Sequence, residues 1–256
     1  MKILTCGLIC AGFMISLAGA QEVEILYDDD YAPYTWEAAG GEAKGIYIDV
    51  IREAIDRMDR YTLRLTGVPW RRGLQLVEAG RAFGLLPPYY RPEDRPYMDY
   101  PVAILDEGYA LFALSPDTGT RWPEDFAGKR VGINAGFSVP DREKARDDYG
   151  IILDEAENNE VNLRKLVAGR IDYFINDPNS IRWSASQLRE SDRSLRGPLE
   201  SLQKILLIST EQGYLGIANT ADAAFPFRRD FTATFVTVIN EMKRDGTIDN
   251  IMRNYQ

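Results

Sequence analysis

Short apolar runs alternate with stretches of helical periodicity along most of the chain, and this alternation restricts the fold more than any other feature. VEILYD is followed by IDVIREAIDRM, then by YTLRLTGV, GLQLVEAG and VAILDEGYALFAL. Strand-like runs separated by amphipathic helical segments predict an α/β chain with largely parallel sheets. After Ser115 a Pro- and Gly-rich stretch, PDTGTRWPEDFAGKRVGINAG, interrupts the pattern, which resumes in NNEVNLRKLVAGRIDYFINDP. There the spacing places Val161, Leu163, Leu166 and Val167 on one face of a helix and makes 171–175 a strand. The interruption predicts a second lobe over 113–208, with 21–112 and 209–256 forming the first. Both crossings are apolar and extended, so paired hinge strands should join the lobes, and closure should be a rotation of near-rigid bodies. Phe235, Val238, Ile239 and Met242, at helical spacing, should pack the last helix on lobe one. A chain of 256 residues is long enough for two medium-sized cores.

Lys2, the apolar stretch from Ile3 to Leu17, and Ala18-Gly19-Ala20 before Gln21 form the pattern of a secretory signal peptide. Cleavage after Ala20 would deliver a periplasmic protein, the alternative being an uncleaved anchor. Cys6 and Cys10, the two cysteines of the chain, lie in this segment. The mature protein is therefore expected to have no thiol, disulfide or lipid anchor.

The chain has no histidine, which removes the usual general base, Ser-His and Cys-His nucleophile pairs and most transition-metal sites. Carboxylate chemistry survives that exclusion. With 39 acidic against 30 basic residues, the net charge of −9 repels nucleic acid. No dinucleotide fingerprint, phosphate-binding loop, EF-hand loop or Cys/His cluster is present in the sequence, so no cofactor or metal is implied.

Residues 28–50 read DDDYAPYTWEAAGGEAKGIYIDV and residues 235–255 read FVTVINEMKRDGTIDNIMRNY. Together with WPEDFAGKRVGINAG and AGRIDYFINDP, in this order and spacing, they resemble the periplasmic solute-binding proteins of family 3, which serve polar amino-acid ABC importers. The resemblance implies a two-lobed Venus flytrap fold, each lobe a mostly parallel sheet flanked by helices. It also implies a monomeric clamp without chemistry of its own, which captures a small polar solute and hands it to an inner-membrane ABC permease.

The same resemblance nominates a set of site residues. Asp177, at a strand end, matches the lobe-two carboxylate that pairs with the ligand's ammonium group. Because Asp-Pro starts turns, a purely capping role is the alternative. Arg95, or else Arg91, in PYYRPEDRPYMDYP, matches the arginine that forks onto the ligand carboxylate. Asp28, Tyr31 and Tyr34 match the lobe-one motif, whose aromatic rings cover a ligand stem. Trp70 is either core or cleft wall. Departures from the family pattern add Tyr90, after two prolines where small polar residues are usual, and Phe137 and Ser138, where a Gly-Thr pair opens a helix. These departures point toward a larger or more aromatic solute, or one lacking one of the two charges.

Two other classes stay open on the sequence. One is a periplasmic lyase of the cyclohexadienyl dehydratase type, which needs a second acid of raised pKa opposite Asp177, and the sequence offers no clear candidate. The other is a ligand sensor that contacts a receptor or sensor kinase.

Overall fold

The computed structural model describes residues 19–219 and 224–255. Most of the expected signal peptide lies outside the described residues, so its cleavage rests on the sequence pattern. Among the described residues no helix is long and apolar enough to cross a membrane.

In lobe one the chain runs through β1 (Gln21–Asp28), a short three-stranded hairpin sheet of β2 (Asp30–Tyr31), β3 (Thr35–Ala38) and β4 (Glu42–Lys44), then α1 (Ile46–Asp56), β5 (Tyr61–Val68), α2 (Trp70–Glu78), β6 (Gly84–Leu86) and β7 (Met98–Asp99). It then crosses into β8 (Ala103–Ala113). Lobe two contains β9 (Arg130–Asn134), α3 (Arg142–Asp147), β10 (Ile152–Ala156), α4 (Asn159–Val167), β11 (Tyr173–Asn176), α5 (Pro178–Ser191) and α6 (Arg193–Glu200). β12 (Gln203–Tyr214) returns to β13 (Gly216–Ala218), and α7 (Arg228–Arg244) and α8 (Thr247–Arg253) close lobe one.

Each lobe is built on one five-stranded sheet, in the orders β5-β1-β6-β13-β7 and β10-β9-β11-β8-β12. Three adjacent strands of each pair in parallel, and a single reversed strand, β13 in the first sheet and β8 in the second, makes the remaining pairings antiparallel. The expected paired hinge strands are β8 and β12, antiparallel from Ala113↔Gln203 to Ala103↔Tyr214. Both belong wholly to the second sheet. Sheet membership thus changes between Asp99 and Ala103 and between Tyr214 and Gly216, whereas the sequence reading divides the lobes at 112/113 and 208/209.

Burial explains the patterning. β8 is apolar on both faces because it is covered on both: Tyr109, Leu111 and Ala113 enter one core of lobe two, and Ala110 and Phe112 the other. In α7, Phe235, Val238, Ile239 and Met242 are buried against α1 and β1, as their spacing predicts. α4 turns differently from expectation. Its buried face is Asn159, Asn162, Leu163 and Leu166, and Val161 is exposed, because a polar network rather than an apolar stripe fills the space beneath it. Asn134 donates to Asn159 at 2.9 Å, Asn159 to Ser180 at 2.8 Å, and Asn176 to Asn159 at 2.7 Å. That network ties the ends of β9 and β11 to the starts of α4 and α5, satisfying groups that burial would otherwise penalise.

Candidate functional site

The carboxyl ends of β1, β5 and β6 in lobe one face the turn after β9 in lobe two, which is where open α/β sheets bind ligands. The pocket between them is lined by Asp28 at the end of β1, Tyr31 on β2, Trp70 opening α2, Pro87 and Tyr89 after β6, Arg91, Arg95, Tyr109 on β8, and Phe137 and Ser138. The walls leave about 20 Å³ of free space, room for about one water molecule.

A carboxyl and a guanidinium face this pocket without meeting. Asp28 is 5% exposed and receives a hydrogen bond from the Asp30 backbone N–H at 3.2 Å. Burial pushes its carboxyl up to about 8, and among the described residues no cation is ion-paired with it. Arg95 is likewise 5% exposed. Its guanidinium lies over the Trp70 ring, 5.4 Å from the centroid, and one nitrogen donates to Ser138 Oγ at 3.4 Å. The turn that carries it is closed by Arg95 N donating to the Arg91 carbonyl at 2.9 Å. Arg91 itself is tied to Glu211 on β12 at 2.9 Å. That bond leaves Arg95 as the pocket cation without a carboxylate partner among the described residues.

Behind the pocket lies a second polar centre that the sequence did not reveal. Glu107, on β8 and 7% exposed, accepts hydrogen bonds from Tyr31 at 2.8 Å, from Tyr89 at 3.0 Å and from Tyr47 of α1. Burial, and then the negative charge of nearby Asp177, push its carboxyl up to about 8 against the pull of the tyrosine donors. Gly213 on β12 makes room for this cluster, because a Cβ there would run into the Tyr47 hydroxyl. Asp177 caps α5: its Oδ1 accepts from Asn179 N at 2.8 Å and Ser180 N at 3.1 Å, and its Oδ2 from Gly108 N at 3.3 Å. Tyr34 adds a fourth donor across the lobes at 3.0 Å.

Other contacts hold the lobes together around the pocket. Ser180 Oγ donates to the Ala32 carbonyl at 2.8 Å, Asn158 to Asp30 at 2.6 Å, Trp70 Nε1 to the Gly136 carbonyl at 3.2 Å, and Arg71 to Glu155 at 2.6 Å. Phe137 of lobe two stands between Tyr31 and Trp70 of lobe one, edge-on to both with centroids 5.6 and 6.0 Å away.

Of the residues nominated from the sequence, Asp28, Tyr31, Trp70, Arg91, Arg95, Phe137 and Ser138 lie together on the pocket walls. Tyr34 and Asp177 lie outside those walls, bonded to each other. Tyr90 points away at 55% exposure and packs on Tyr100 and Tyr214. The turn of Gly136 to Ser138 precedes α3 by several residues, so the helix expected to open there begins only at Arg142. Sequence reasoning placed Pro87 on the carboxylate side of the site and missed Tyr89, Tyr109, Tyr47 and Glu107 as site residues. The one signal for Glu107 was a carboxylate inside the apolar run VAILDEGYALFAL.

No family model matches the sequence, and no curated protein does. Solved structures do match. A histidine kinase sensor domain with similarity to periplasmic binding proteins superposes with a TM-score of 0.76 at 19% identity, over 92% of this chain and 96% of its own. The chain has the two-lobed fold of the periplasmic binding proteins. GshT, from work on glutathione import in Gram-positive bacteria via GshT and the cystine ABC importer TcyBC of Streptococcus mutans, gives 0.76 at 16% identity over 92% and 95% of the two chains. The ancestral amino acid-binding protein AncCDT-1, a precursor of cyclohexadienyl dehydratase, gives 0.70 at 15% identity over 91% and 94%. Identities this low carry the fold and leave the ligand to the pocket's own chemistry.

Proposed function

We propose that this protein is a periplasmic solute-binding protein of family 3 type that closes its lobes on a small amino-acid-like zwitterion and delivers it to an ABC importer. The observation that carries the reading is the pair Asp28 and Arg95: a carboxyl and a guanidinium, both buried, in one pocket, and not bonded to each other. Burial disfavours the ionised form of Asp28 and leaves Arg95 without a counterion, and a solute bearing an ammonium and a carboxylate offsets both costs at once. Arg95 and Ser138 take the carboxylate. Asp28 takes the ammonium, a role that Asp177 is less suited to because four donors of the protein already occupy it.

An adjoining groove of about 370 Å³ shares Asp28, Trp70 and Phe137 with the pocket and is lined further by Asp29, Asp30 and Glu157. Its one cation, Arg71, is bound to Glu155. A ligand side chain that leaves the pocket through this groove is best matched when it is basic. Export of the chain after removal of residues 1–20, and action as a monomer, belong to the same reading.

A thermal-shift screen of L-α-amino acids tests it, since a solute that binds only the folded protein raises the melting temperature. The basic amino acids are expected to give the largest shifts, and no shift with any member would remove the reading. A lyase is the second reading, favoured by Asp28, a pocket carboxyl that titrates near neutrality and so suits proton transfer. Recovery of every bound solute unchanged after prolonged incubation decides against it.

A further inference from the structure

Three tyrosine hydroxyls converge on one buried carboxylate, and two of those tyrosines are also walls of the pocket. Tyr31 and Tyr89 both line it, and both hydroxyls reach Oε2 of Glu107, at 2.8 and 3.0 Å. Tyr47 reaches the other oxygen. A phenol has a single hydrogen to donate. The two hydroxyls also lie 3.0 Å from each other, so they either both donate to Glu107 or one donates through the other. While Glu107 is ionised, both hydrogens are consumed inside the cluster in either arrangement, and what remains for a solute is oxygen lone pairs.

We infer that Glu107 is a specificity-determining residue: by taking the hydroxyl hydrogens of Tyr31 and Tyr89 it turns both pocket hydroxyls into acceptors, so that this part of the pocket selects a ligand's N–H donors and disfavours its anionic or acceptor groups. Asp28 adds a further acceptor, Arg95, Ser138 and Arg91 are donors, and the Tyr109 hydroxyl can serve as either. The pocket is thereby polar in a fixed sense, acceptors against donors, before any solute arrives. Glu107 never touches the solute in this scheme. It acts through the two tyrosines, which makes it a positioning residue, and the inference rests on the binding reading above.

The test is discrimination, not affinity. The mature protein is titrated above the Glu107 titration at about pH 8 with L-α-amino acids and, for each, the carboxylic acid with hydrogen in place of the α-ammonium group. Wild type is expected to prefer the amino acid by at least about tenfold, the scale of one hydrogen bond to a charged group. Glu107→Leu frees both hydroxyl hydrogens and is expected to lower that ratio by about tenfold. Glu107→Gln, whose carbonyl oxygen still accepts from Tyr31 and Tyr89 when its amide faces Tyr47, is expected to restore most of it. A merely structural role would weaken both members of each pair equally and leave the ratio unchanged. If Glu107→Leu does not fold, Tyr31→Phe and Tyr89→Phe remove the same lone pairs one at a time and are expected to lower the ratio. An unchanged ratio in these variants overturns the inference, as does equal binding of amino and des-amino probes by wild type. Failure of wild type to bind any probe instead removes the binding reading on which the inference stands, and the inference with it.

Discussion

The hydroxyl of Tyr34 on lobe one lies 3.0 Å from the carboxylate of Asp177 on lobe two. Asn179 at the start of α5 donates to the same hydroxyl at 3.2 Å. The cap of a lobe-two helix is thus completed by a lobe-one side chain, and the bond exists only while the lobes are together. Tyr34→Phe keeps the ring, which packs on Tyr31 and Tyr47, and removes the bond. It is expected to weaken solute binding by roughly threefold to tenfold, the equivalent of a net ~0.5–1.5 kcal/mol, with little change in melting temperature. Small-angle scattering on the same variant should show a larger radius at sub-saturating solute than wild type does.

Two buried carboxyls give the fold a definite pH dependence. Asp28 rises from 3.8 and Glu107 from 4.5, each to about 8, mainly through burial. The folded protein therefore holds more protons than the unfolded chain between about pH 4 and 8. Stability from these groups is fully present below the unfolded values and is lost as pH rises through about 8. The charged and titratable neighbours facing Glu107 are Asp177, Tyr31, Tyr47 and Tyr89, and those facing Asp28 are Asp29 and Asp30. Thermal melts from pH 5 to 9 should fall across that window, and Glu107→Gln should flatten the fall. A melting temperature that rises with pH over the same range would contradict both assignments.

Gly213 is required by its neighbours more than by its own backbone. A Cβ at this position would strike the Tyr47 hydroxyl and lie 2.6 Å from Glu107 Oε1. Gly213→Ala should therefore push α1 away from the hinge strands and destabilise by about 1–3 kcal/mol, as overpacking in a filled core does. Chemical denaturation of the variant checks this, and a loss within experimental scatter would mean that the Tyr47–Glu107 contact gives way freely.

What was legible in the sequence were features that repeat along it. The α/β alternation, the paired hinge strands and the buried stripe of α7 all follow from periodicity, which a single chain displays. Asp28, Trp70, Arg95 and Ser138, nominated through the family resemblance, lie on the walls of one pocket. Glu107 was not legible, since its meaning depends on Tyr31, Tyr47 and Tyr89, which come from three separate segments and meet only in the folded protein. Val161 misled for a related reason: its apolar character fits the helical stripe, but the buried face of α4 is set by the Asn134–Asn159–Asn176 network. Asp177 carried two readings, and four donors now surround it, which favours the cap.

Calorimetric titration of wild type, Asp28→Asn and Arg95→Ala with the amino acid that gives the largest thermal shift tests the binding site most directly. Each variant leaves one charge of the bound zwitterion buried without its counterion, a cost of ~2–5 kcal/mol. Both are expected to bind at least about thirtyfold more weakly than wild type, at about 1.4 kcal/mol per tenfold, with melting temperatures no lower than that of the unliganded protein. Affinity unchanged in both variants, with the fold intact, would mean that the solute is held elsewhere and that the Asp28–Arg95 pocket is not the binding site.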